Sequence, residues 1–372
     1  MRQLKHLKIF NQEGNMKQVQ NLTIIAFAAF LSACGGGGGG GNNNDTGGTP
    51  PVVEKPVEPT PPGNDSYPVT AKPGDYTQGQ RAEIFDRINY FRTTCGYSAI
   101  SQNKMLDTAA SGHAEYNRLN NTYGHTQSAS NVGFTGATLQ DRITNSGYSY
   151  SKIGEIANSR NSGSLIAGTS ASGIETSPTA STGEAMINRL FSTVYHQASA
   201  TEEWSEMGVG FSQSANLTPL PGETLFYTTS VVNFGIASGS TAPEYKGAEV
   251  RSFPCEGITG VSPIFTAELP NPYPSRNFDA SPMGTPVGFT SKNFSEILIT
   301  SATVTNLATG ANVVSKIFNS KDDPNNALTK YQAFVIPDQP LANQTKYKVA
   351  VTGTDGGINF SKDFIFKTGS QN

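Results

Sequence analysis

The sequence predicts an α+β domain followed by an all-β sandwich. Apolar residues recur at helical spacing between Ile84 and Val194, and two strand-like runs follow at Met207–Phe211 and Leu225–Phe234. From Pro270 onward the pattern changes to short β runs separated by turn residues. The 372 residues allow two or three domains. Charged residues make up 15% and hydrophobic residues 36%, which excludes a disordered polyelectrolyte. The mean hydropathy of -0.36 excludes a polytopic membrane protein. A net charge of -3 offers no nucleic-acid surface, so no nucleic-acid partner is expected.

The first apolar run, Leu22 to Ala33, is shorter than the ~20 residues a membrane span needs. Lys17 precedes it and small residues close it, the order of a secretion signal, with Met16 as the better start. Leu31-Ser32-Ala33-Cys34 resembles the lipobox of bacterial lipoproteins. That resemblance implies acylation of Cys34, cleavage before it, and anchoring to a membrane through several acyl chains. Gly35 rather than Asp after the Cys points, by the same resemblance, to the outer membrane of a bacterial envelope. The alternative is an ordinary signal peptide with a chance Cys. Residues 1–34 are therefore read as the leader. Residues 35–77, with seven glycines at Gly35–Gly41 and a Pro-rich stretch to Pro73, are read as a disordered tether.

Ile84, Ile88 and Phe91 predict a first helix near Gln78. Leu106, Ala109, Ala110, His113 and Ala114 share the inner face of a second, about Asn103 to Leu119. Asp141 and Arg142 suggest a short third helix, and Ser159 to Thr182 reads as a long loop. Ser181 and Glu184 have capping-box spacing before a helix with the stripe Ile187, Leu190, Phe191 and Val194. Two strands then flank the loop Pro219-Leu220-Pro221-Gly222.

Asn89, Arg92 and Gly96, then Leu106, Ala109 and His113, then His125, Gly154-Glu155, Tyr195-His196 and Met207-Gly208-Val209-Gly210 follow one another in a telling order. The set resembles the CAP superfamily, the SCP-like cysteine-rich secretory, antigen and pathogenesis-related proteins, over residues 78–236. The resemblance implies an α–β–α sandwich with an open cavity lined by two His and acidic residues, which in some members holds a divalent metal. His125 and His196 match the cavity His and Glu155 the acid, with His125 and His196 as the metal ligands if an ion such as zinc is bound. Against this, Gly124-His125 could be a plain loop and Glu155 a solvated charge. His113 continues the buried stripe and reads as a packing residue. The sequence departs from the family where Ile156 follows Glu155. The second acid is also open: Glu184, better read as a helix cap, and Glu203 or Glu206 are the candidates.

With Cys34 assigned to the anchor, Cys95 and Cys255 remain, and an oxidising compartment favours their bridging. The alternative is two free buried thiols. Residues 237–267 read as a linker. Beyond them, Pro286–Thr290, Ile297–Asn306, Ala311–Phe318 and Tyr331–Ile336 are strand-like. Tyr347, Val349 and Val351 alternate, as do Phe364 and Phe366, around a Gly356-Gly357 turn. Residues 268–372 resemble bacterial Ig-like and fibronectin-type modules, which implies a spacer or adhesive unit without a chemical site.

Three functions are compatible with these readings. The first is a membrane-anchored extracytoplasmic lipoprotein whose cavity binds a small ligand, lipid or divalent metal without catalysis. The second is a metal-dependent hydrolase with Glu155 as base. The third is a structural or adhesive envelope protein. No Gly-x-Ser-x-Gly, His-Glu-x-x-His or phosphate-loop motif is present, so no catalytic residue is assigned.

Overall fold

The computed structural model describes residues 71–164, 174–176, 181–214, 224–243 and 250–370. The leader with Cys34, and the tether up to residue 70, lie outside the described residues. No helix among the described residues is long and apolar enough to cross a membrane.

Helix α1, Gln80–Thr94, turns Ile84, Phe85, Ile88 and Phe91 inward. Helix α2, Lys104–Asn120, starts at Asn103, whose side chain accepts from the Met105 and Leu106 N–H groups. It ends at Asn121, in the left-handed conformation with φ 49°. Thr138 and Asp141 form a full capping box at the start of α3, Leu139–Asn145. The strands β1 (Ser101–Gln102), β2 (Tyr150–Ser164), β3 (Ile174–Thr176), β4 (Glu206–Ser214) and β5 (Thr224–Ala237) make one sheet in the order β1-β4-β5-β2-β3. Helix α2 lies across β4 and β5. It can do so because positions 208 and 210 are glycine: a Cβ at Gly208 would enter the Leu106 backbone, and one at Gly210 the Ala110 carbonyl.

Helix α4, Gly183–Leu190, and helix α5, Val194–Ala200, replace the single helix expected after Ser181. The break has a local cause. The Ser192 hydroxyl donates to the Arg189 carbonyl and the Thr193 hydroxyl to the Leu190 carbonyl, which offers the backbone an alternative to helix. Thr182, not Ser181, caps α4, accepting from the Ala185 N–H. The expected loop from Ser159 is strand up to Ser164. Its Ser, Asn and Gly residues hide the alternation, and its strand identity comes from antiparallel pairing with Thr224–Thr229 of β5.

The remaining strands are β6 (Val250–Phe253), β7 (Val287–Ser291), β8 (Ile297–Asn306), β9 (Asn312–Val313), β10 (Ser315–Asn319), β11 (Gln332–Pro337), β12 (Lys346–Asp355) and β13 (Ile358–Lys367). They form two four-stranded sheets, β10-β11-β7-β6 and β13-β12-β8-β9. Gly356 and Gly357, both at positive φ, join β12 to β13.

These observations correct the expected fold class. The chain is mainly β, with 35% strand against 21% helix, and has five α-helices and three small sheets among the described residues. It is not an α–β–α sandwich followed by an Ig-like sandwich. The helices are the minor component because α3, α4 and α5 have only seven or eight residues each, whereas β2 and β5 run for 15 and 14. The second half also takes a strand from before residue 268: β6 lies in the span read as a linker and pairs antiparallel with β7. One continuous apolar cluster joins Phe91 and Phe191 to Phe253, Phe289 and Phe364.

Cys95, directly after α1, and Cys255, two residues after β6, are joined by a disulfide with a Cα–Cα distance of 5.4 Å. It closes across that shared core.

Candidate ligand-binding cavity

Glu155 lies in the middle of β2, directly opposite Asn233 of β5. Its side chain is 2% exposed. A carboxylate so buried must be paired and hydrogen-bonded. Arg142 of α3, itself fully buried, donates one terminal nitrogen to both carboxylate oxygens at 2.9 Å each. The other terminal nitrogen of Arg142 donates to the His125 carbonyl at 3.0 Å. Asn233 donates its amide N–H to Glu155 Oε2 at 2.8 Å. The third partner is the His125 ring, whose Nδ1 lies 2.9 Å from Glu155 Oε1. Burial alone would raise the Glu155 carboxyl. The His125 hydrogen bond and the charge of the Arg142 guanidinium oppose it, and the group is held below its ordinary value.

His113 is buried, as its place in the α2 stripe predicts, but it does more than pack. Its Nε2 lies 2.8 Å from the Gly124 carbonyl, and its Nδ1 accepts from the Gln127 amide at 3.0 Å. A carbonyl can only accept, so Nε2 carries the proton and the ring is neutral with both nitrogens satisfied. Burial, with the Arg142 and His125 charges, lowers its pKa despite the opposing pull of Glu155. Glu155 Oε1 is 3.9 Å from His113 Nε2, so His113 stands behind the carboxylate.

His196 sits in the first turn of α5. Its Nδ1 is 2.8 Å from Glu268 Oε1 and 2.9 Å from the Thr193 hydroxyl oxygen. The His125 and His196 rings have centroids 6.1 Å apart and an interplanar angle of 35°. His125 is 42% exposed and His196 is 13% exposed, so the pair opens to solvent above two buried carboxylates.

The structure therefore brings together the three site residues expected from sequence, His125, Glu155 and His196. It does not bring the expected second acid. Glu184 is exposed on the first turn of α4, 3.5 Å from Arg87. Glu203 pairs with Arg251 at 2.5 Å, and Glu206 accepts from Tyr148 and Asn103. The second carboxylate is Glu268, 72 residues beyond His196. Sequence reasoning also missed Arg142 as a partner of Glu155. Neither contact has a local signal, since Arg142 reaches Glu155 from α3 and Glu268 reaches His196 from 72 residues further along the chain.

Chemically, the arrangement presents two imidazoles with carboxylates on their Nδ1 atoms, which leaves the Nε2 atoms as the lone-pair nitrogens. A divalent ion such as zinc fits this donor type, and His125 and His196 would hold it. Among the described residues, however, no group of three or more His, Cys, Asp or Glu side chains is disposed to bind a metal. Two protein ligands are fewer than the three or four of a lasting zinc centre, so solvent or a ligand would complete the shell. The sequence matches no family model and no curated protein.

Proposed function

We propose that the chain is a bacterial envelope lipoprotein, anchored through Cys34, whose CAP-like cavity binds a small ligand or divalent cation without catalysis. The observation that supports this best is the pairing of His125 and His196, rings 6.1 Å apart, with each Nδ1 held by a buried carboxylate. Two oriented lone pairs at a solvent opening suit an electron-pair acceptor: a metal ion, or a ligand that donates hydrogen bonds. The hydrolytic alternative needs Glu155 as a base. Glu155 instead accepts from Arg142, His125 and Asn233 and is stabilised as the anion, which leaves it poorly suited to take a proton.

One series tests both parts of the proposal. Cys34→Ser should abolish fatty-acid labelling and release the protein from membranes. The released chain is then titrated with Zn²⁺ by calorimetry. His125→Ala and His196→Ala should each weaken binding by more than about 100-fold, beyond the about 10- to 100-fold of losing a supporting partner alone. Binding unchanged in both variants would sink the cavity reading, and undiminished labelling of Cys34→Ser would sink the anchor.

A further inference from the structure

Glu268 belongs to the segment that leads into the second half of the molecule, outside the region that carries the cavity motifs. Its side chain is fully buried, and its carboxylate bonds to the start of α5. Oε2 accepts from the Val194 N–H at 2.9 Å. Oε1 accepts from the Tyr195 and His196 N–H groups at 2.8 and 2.9 Å. It supplies the cap that Thr193, whose side chain makes no capping bond, does not.

The same Oε1 lies 2.8 Å from His196 Nδ1, and the second partner of that nitrogen leads to the same assignment. The Thr193 hydroxyl has its hydrogen directed to the Leu190 carbonyl at 2.9 Å, so toward His196 it presents a lone pair. Both groups facing Nδ1 are acceptors, and Nδ1 must carry the proton. His196 then has the same tautomer as His125, whose Nδ1 faces Glu155, and the two rings offer matching Nε2 lone pairs.

The second half also fixes the position of α5. Val194 and Ala198 pack in an apolar cluster with Phe265, Phe278 and Met283. The Tyr195 hydroxyl donates to Asp323 at 2.5 Å and accepts from the Asn325 amide at 2.8 Å.

We propose that Glu268 is a positioning residue of the cavity, which fixes His196 in the Nδ1–H form with Nε2 available, so that the site is completed by the second half of the molecule. The inference rests on the cavity reading above. The contacts of Glu268 are each independent of any ligand, and they assign the tautomer without reference to one.

The test uses the full chain in the Cys34→Ser background, labelled with ¹⁵N-histidine. Ring-nitrogen chemical shifts report the tautomer, and Zn²⁺ titration reports the consequence. The unsubstituted ring of His196 should show a single Nδ1–H form. Glu268→Ala should abolish that preference and lower Zn²⁺ affinity by about 10- to 100-fold, the usual effect of losing the group that orients a ligating imidazole. His125 signals should stay in place. Glu268→Gln keeps an acceptor for the helix start and decides the matter if the Ala variant does not fold. It should show a mixed tautomer and an affinity loss of about tenfold. A folded variant with the His196 shifts and Zn²⁺ affinity of the parent would overturn the proposal. If the parent binds no Zn²⁺, the metal reading falls, and the tautomer measurement alone decides whether Glu268 positions His196.

Discussion

At His113 the two ring nitrogens are divided between a carbonyl and an amide N–H, a division that only the neutral ring satisfies. The unfolded chain takes up a proton there near the ordinary value of 6.5, the native chain only at lower pH. Between those values the unfolded state binds more protons, so native stability is intact above 6.5 and is lost as pH falls below it. The slope from one such group is at most about 1.4 kcal/mol per pH unit. Glu155 acts in a lower window. Its pKa lies below the ordinary 4.5, so the stability it contributes is present above that value and is lost as pH falls through it and beyond. Urea unfolding measured at steps from pH 7.5 to 5 should therefore show a loss of stability that begins near 6.5. His113→Gln, which cannot take up a proton, should flatten that part of the profile. A variant with the parent's slope would mean that another group titrates there.

At the scale of elements, the contact of α2 with the sheet depends on two positions without side chains. Gly208 and Gly210 point their missing Cβ atoms into the α2 backbone at Leu106 and Ala110. Backbone cannot swing aside as a flexible side chain can, so an added methyl must push the helix off β4. Gly210→Ala should cost at least the ~1–3 kcal/mol of an overpacked core. Since α2 carries His113, the shift should also disturb the support behind Glu155. Thermal melts and Zn²⁺ titration of the variant check both effects. A melting temperature equal to the parent's would mean that α2 has more room than these contacts allow. The motif Met207-Gly208-Val209-Gly210 is legible in sequence as a strand, but the reason for its glycines is visible only once α2 lies on it.

At the scale of the molecule, the two halves share a core. Phe91, Phe191 and Phe253 meet with ring centroids 4.8 to 5.0 Å apart, and the Cys95–Cys255 bond closes beside them. The bond spans 160 residues, a long loop whose closure restricts the unfolded chain strongly. The Cys95→Ala/Cys255→Ala double variant should lose about 2–5 kcal/mol of stability. Because the apolar cluster is continuous, calorimetry of the intact protein should show one cooperative transition rather than two. Two well-separated transitions would mean that the shared core does not couple the halves.

Local physics carried much of this molecule in its sequence. The apolar spacing of Ile84, Ile88 and Phe91, the alternation of Tyr347, Val349 and Val351 and the turn at Gly356-Gly357 each act within a few residues, and each is read correctly from the chain. The sequence also singles out, through their order, three of the four residues that the fold gathers here, His125, Glu155 and His196. The class of the fold was not, because polar strands such as Ser159–Ser164 carry no alternation and β6 takes its identity from pairing with β7. Nor was Glu268. Its role comes from a segment folding back 72 residues to meet three backbone N–H groups and one imidazole, a long-range convergence that depends on the packing of both halves and leaves no periodicity in the sequence.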